Sequence, residues 1–185
     1  MARAEPGARG SSSVERVLTV DQAERLEACA RVLNPPARIV MTGNIAPEAL
    51  GAMRRGALEG VEVVVLSASE VKGVDGSIDV LFVGPASPYS AAAEMLQAWS
   101  TRVVPGGTLF VHGAFALPPL TAALLRTVGA SRGWRYFGRD GALAEYVRDD
   151  LSHGERVLDA IAQAAQMSSF LRRLARRRAA TLRSS

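Results

Sequence analysis

The chain has 185 residues, 48% of them hydrophobic and 22% charged, enough to bury one real core. Its one cysteine, Cys29, excludes an intrachain disulfide, no Cys/His cluster has zinc-site spacing, and no apolar run approaches the ~18 residues of a membrane span. The net charge of +4 is uneven: residues 1–150 carry 15 Lys and Arg against 16 Asp and Glu, and residues 151–185 carry seven against two, so the basicity belongs to the tail and gives no argument that the body binds nucleic acid.

Met1 to Ser13 is polar and rich in Ala, Arg, Gly and Ser. A disordered N-terminus over 1–13 is expected. It lacks the apolar stretch of a secretory signal, which points to a cytoplasmic location. A first helix is expected from about Val20 to Leu33. Thr19 and Gln22 form a capping box at its start, Ala23, Leu26, Ala30 and Leu33 follow at helical spacing, and Asn34-Pro35-Pro36 ends it. Arg38 to Thr42 reads as a strand, Gly43-Asn44 as a turn, and Pro47 as the first residue of a helix with Leu50, Met53, Ala57 and Leu58 on its apolar stripe. Gly60 closes that helix and Val61 to Leu66 is the next strand. The unit of about 30 residues has the size of a right-handed parallel crossover.

Ala68 to Ser77 is polar and reads as a loop, too short for another helix and strand. Ile78 to Val83 is a strand, Ser90 to Arg102 a helix, Pro105-Gly106-Gly107 a turn and Thr108 to His112 a strand. Near-continuous apolar strands joined by a helix argue for a parallel sheet covered on both faces. Pro118 to Val128 reads as a helix. Trp134 to Gly138 and Leu143 to Val147 are strand-like and joined through Asp140-Gly141, a hairpin signal. The sheet should thus be mostly parallel with an antiparallel C-terminal hairpin and helices on both faces, the α/β domain spanning 14–150. Residues 151–185 read as a basic amphipathic helix, from about Ser152 to Arg178, with Val157, Ile161, Ala164, Ser168 and Leu171 on one face.

In such sheets ligands bind at the carboxyl ends of the strands. Here Gly84 to Ser87 and His112 to Ala114 carry no carboxylate. His112 has the right chemistry for a general base, yet a lone histidine without a partner acid is more often structural, so no catalytic residue is assigned. His153 falls in a linker. Trp99 and Trp134 read as core. Gly106-Gly107 lacks the lysine and hydroxyl of a phosphate loop. Arg172, Arg173, Arg176, Arg177 and Arg178 suit either a solvated helix end or, with Phe170, Leu171 and Leu174 beside them, a membrane surface. Nothing interleaves aromatics with them as a nucleic-acid site would.

The order of elements resembles class I S-adenosylmethionine-dependent methyltransferases, nearest to the methyltransferase-24 branch, over roughly Val20 to Asp149. The resemblance rests on Ile78-Asp79-Val80-Leu81-Phe82-Val83, the Trp99 helix before Pro105-Gly106-Gly107, Val111-His112-Gly113-Ala114-Phe115, and the hairpin from Trp134-Arg135-Tyr136 to Glu145-Tyr146. It implies a Rossmann-like methyltransferase sheet and S-adenosylmethionine as cofactor. In that family the first strand ends in an acid and a glycine-rich loop, where this chain has Val40 to Pro47 with only Gly43. The second strand ends in an acid for the ribose, where this chain has Ser67, with Glu70 three residues on. A further strand and helix follow, where this chain has the short loop. Acids that some relatives use for metal or catalysis stand as Gly84 and Gly113, so no metal is expected. The implied cofactor contacts are Gly43, Asn44, Ser67, Gly84 and Ala86. The function implied is that of a methyltransferase-family protein with a weakened cofactor site, acting, if active, on a small-molecule or glycan-type acceptor. The alternative is a non-catalytic methyltransferase-like scaffold or partner subunit.

Overall fold

A computed structural model describes residues 17–67, 69–70 and 76–166. The expected disordered N-terminus and the arginine cluster lie outside the described residues. The first helix, α1, spans Val20–Arg31. Its capping box forms as the residue types demand: Gln22 N donates to Thr19 Oγ1 (3.2 Å) and Thr19 N donates to Gln22 Oε1 (3.1 Å). The helix stops two residues short of Leu33, because a proline pair restricts the residues before it. Strand β1, Ala37–Thr42, helix α2, Pro47–Gly56, and strand β2, Val61–Val65, follow. Next come β3, Ile78–Val83, α3, Tyr89–Ser100, and β4, Val103–His112. Helix α4, Pro118–Leu124, continues into a wider π-type turn at Leu125–Gly129, so the expected helix to Val128 is α-helical only in its first part. The hairpin is β5, Trp134–Asp140, and β6, Leu143–Arg148. Residues 153–166 form a last helix, α5.

The six strands lie in the order β2-β1-β3-β4-β6-β5. The first four are parallel to one another, and β6 runs antiparallel to both β4 and β5. The mostly parallel sheet with its reversed hairpin is therefore as expected. Pro105-Gly106-Gly107 is not the turn before β4. Val103 already pairs with Ile78, and Thr108 pairs with Val80, so residues 104–107 bulge out within one strand. Gly107 fits because a Cβ there would meet the Asp79 and Val104 carbonyl oxygens at 2.9 Å. A bulge of this length breaks the two-residue alternation from which strands are read, which is why the strand's first half was invisible.

The central strands are covered on both faces, which explains the apolar runs of β3 and β4. On one face Met41, Phe82, Phe110 and Leu143 pack against Leu26 of α1 and Met53 of α2. On the other, Leu81, Val83 and Val111 pack against Trp99 of α3 and Leu124 of α4. Helices α1 and α2 approach closely at Gly56, where a Cβ would lie 2.1 Å from the Glu27 carbonyl oxygen. Cys29 is half-buried, and burial pushes its thiol up to about 11, so it stays protonated and inert.

Candidate functional site

The strand order reverses between β1 and β3, the place where open α/β sheets hold ligands. Three of the five expected cofactor residues meet there. Gly43 turns the chain out of β1 with φ of 85°, a conformation that favours glycine. Gly84 leaves β3, and its N–H donates to the Thr42 carbonyl at 2.8 Å. A Cβ on Gly84 would sit 2.3 Å from the Asn44 carbonyl oxygen, and one on Gly43 would sit 3.0 Å from the Gly84 carbonyl oxygen. The two loops thus lie backbone against backbone. The glycines are needed for that contact, and the space each leaves is filled by the other loop.

Ser67 stands just beyond β2, tied to β1 through the bond from Leu66 N to the Met41 carbonyl (2.9 Å). Its amide and hydroxyl both donate to Glu70 Oε2, at 2.6 and 2.7 Å. These bonds hold the Glu70 carboxyl below its usual range. The structure therefore folds an ionised carboxylate back to the end of β2, although the strand itself ends in serine. Ala86 is half-buried and packs toward the α3 face rather than joining the Gly43–Gly84 contact.

His112 closes β4. It is buried, its Nδ1 has no hydrogen-bond partner, and burial lowers its pKa, so the imidazole is neutral. Its ring lies 6.4 Å from that of Phe82. Thr42 Oγ1 is also buried without a partner. The two do not form a pair: Thr42 continues the row of Val40 and His112 continues the row of Phe110, on opposite faces of the sheet. Among the described residues no group of three or more His, Cys, Asp and Glu side chains comes together as a metal ion requires.

Beside His112 in the sheet is Leu143, which opens onto a cavity of about 350 Å³ between α1 and the hairpin. Phe110 and Leu143 form its floor, and Asp21, Arg25, Phe137 and Glu145 ring it. Arg25 pairs with Glu145 at 2.7 Å and lies 5.3 Å from the centre of the exposed Phe137 ring. Gln22 fixes α1 against this hairpin by donating Nε2 to the Asp140 carbonyl at 2.7 Å. Sequence reasoning missed this cavity because Arg25 and Glu145 are 120 positions apart, and each alone reads as ordinary surface charge.

No family model and no curated protein matches the chain. Solved structures do. A protein from Corynebacterium glutamicum gives a TM-score of 0.56 at 10% identity, over 79% of this chain and 94% of that one. An O-methyltransferase from Bacillus cereus in complex with SAH gives 0.55 at 11% identity, over 72% of this chain and 83% of that one. The O-methyltransferase NovP gives 0.51 at 16% identity, over 70% and 80%. This chain has the methyltransferase fold. The further strand and helix expected of that fold after β2 do not occur among the described residues, where β2 is the edge of the sheet.

Proposed function

We propose that the chain is a methyltransferase-like protein that takes S-adenosylmethionine through a weakened site and acts on a small-molecule or glycan-type acceptor. The observation that carries this reading is the Asn44–Gly84 contact. A cofactor cradle needs glycines whose vacant Cβ positions face the ligand, and here they face each other's backbone. The fit to a full cofactor site therefore fails at the first-strand loop. What speaks for residual binding is Glu70. One of its oxygens is oriented by Ser67, and a carboxylate keeps further lone pairs for two ribose hydroxyls. The 350 Å³ cavity supports the acceptor class. Its volume is that of a small-ligand site, and its mixture of one exposed aromatic ring with carboxylates and two arginines, Arg25 and Arg139, suits a polar molecule such as a sugar.

The scaffold alternative draws on the same loop contact, and calorimetry separates the two. S-adenosylhomocysteine should bind more weakly than ~100 μM, that is, with a binding free energy less favourable than about −5.5 kcal/mol, and Glu70→Gln should weaken it further. Binding tighter than that refutes the weakened site. No heat at millimolar ligand makes the chain a scaffold.

A further inference from the structure

Helix α5 is built inside out. A surface helix of a soluble domain normally turns its apolar stripe to the core and its polar face to water. In α5 the buried positions are Asp159 and Gln163, 9% and 5% exposed. Asp159 Oδ1 accepts from Tyr136 N at 2.5 Å, which caps the outer edge strand β5. Gln163 Nε2 donates to Asp159 Oδ2 (2.5 Å) and to the Gly129 carbonyl (3.4 Å), and the Tyr146 hydroxyl donates to Gln163 Oε1 (3.3 Å). The large apolar residues Val157, Leu158 and Ile161 are 49%, 69% and 61% exposed. They lie one and four positions apart, on one side of the helix.

The sequence after α5 keeps both characters. It contains Met167, Phe170, Leu171 and Leu174, then arginines at 172, 173, 176, 177, 178 and 183, with no acid after Asp159. We infer that α5 and the segment following it dock the chain on a membrane surface containing anionic lipid, with Val157, Leu158 and Ile161 entering the headgroup–acyl boundary and the arginines meeting the headgroups. Apolar insertion together with a polybasic run is the pairing that gives stable attachment to such a surface. The polar bonds on the inner face hold α5 to the body, so docking requires no helix to detach. No helix among the described residues is long and apolar enough to cross a membrane, so the attachment is peripheral. A second copy of the chain is a poorer occupant, because three side chains cover far less than the ~1,000 Å² of a stable interface. Nucleic acid would satisfy the arginines and leave the apolar face exposed.

Co-sedimentation of the full chain with phosphatidylcholine vesicles, with and without phosphatidylserine, tests this inference. The chain should pellet only with the anionic vesicles, less so at high salt. Leu158→Glu/Ile161→Glu, and separately Arg→Gln at 172, 173, 176, 177 and 178, should each lower partitioning at least tenfold. Both glutamates replace exposed side chains, and thermal melts confirm folding; should that pair melt early, Leu158→Ser/Ile161→Ser takes its place. Four results overturn the inference: no pelleting with anionic vesicles, pelleting unchanged by the α5 pair, a dimer that the α5 pair abolishes, or binding to RNA or DNA without lipid uptake. None of these readouts depends on S-adenosylmethionine.

Discussion

Replacing Gly84 with alanine measures how firmly the loops after β1 and β3 are shut. The new Cβ would lie 2.3 Å from the Asn44 carbonyl oxygen and 2.7 Å from its carbon, where ordinary contact begins near 3.4 Å. The loops must therefore part by about 1 Å, and the obstacle is backbone, which cannot swing aside as a side chain does. Overpacking of this kind costs ~1–3 kcal/mol. Parting also strains the hydrogen bond from Gly84 N to the Thr42 carbonyl, worth ~1 kcal/mol. The total is about 3 kcal/mol, to be read as a lower urea midpoint with an unchanged m-value. Where opening the loops for a ligand costs as much as parting them for a Cβ, the same figure bears on function. A ligand that enters between these loops must first open them, and a 3 kcal/mol opening weakens apparent affinity by roughly 140-fold. A site that would hold its ligand at ~1 μM when open then holds it near ~140 μM. A loss of stability below ~0.5 kcal/mol in Gly84→Ala would mean that the loops part freely, and the structural reason for a weakened site would be gone.

Gly56→Ala places a Cβ 2.1 Å from the Glu27 carbonyl oxygen and 2.9 Å from the Ala30 Cβ. It should wedge α2 from α1 and destabilise by ~1–3 kcal/mol in the same urea assay, although alanine is the better helix former. A gain in stability would show that the helices do not pack this closely. The buried His112 should make folding sensitive to mild acid. Its folded pKa is lowered by burial from an ordinary value of 6.5, so below about that pH the unfolded chain takes a proton that the folded chain refuses. Its penalty is absent above the unfolded pKa and grows as pH falls toward the folded one. Urea midpoints measured across that range should fall more steeply for the wild type than for His112→Gln, and parallel slopes would contradict the burial.

The residues that announced the fold were those whose signal is local. Thr19 and Gln22 predicted the start of α1, Asp140-Gly141 predicted the hairpin, and the apolar runs of β3 and β4 predicted a sheet buried on both faces. What stayed hidden depends on distant pieces meeting. Gly43 and Gly84 could be named as candidates one by one, but that their loops lie backbone against backbone shows only in the fold. The bulge at residues 104–107 and the π-type turn after α4 were hidden for another reason: each changes the period by which a strand or helix is recognised. The inverted α5 was also illegible, because an apolar stripe such as Val157 and Ile161 is read as an inward face unless the partners of Asp159 and Gln163 are known.

In the proposed cofactor site, the edge position of β2 leaves the Glu70 carboxylate uncovered. In β2 no residue is fully buried, and Val65 is about half exposed, whereas β3, flanked on both sides, is buried almost throughout. The expected further strand would have covered the outer side of β2 and the loop beyond it. Without such cover among the described residues, Ser67 and Glu70 stand in water. The Ser67 bonds still orient Glu70 and keep it ionised, but hydrogen bonds and charge contacts to a solvated carboxylate compete with water and are screened by salt. In the proposed cofactor site, orientation without burial would leave Glu70 able to accept from ribose hydroxyls while removing most of the strength of that contact. On the proposed reading the shut loops and the bare edge act in the same direction, one raising the cost of entry and the other lowering the return, so tighter cofactor binding would require changing both.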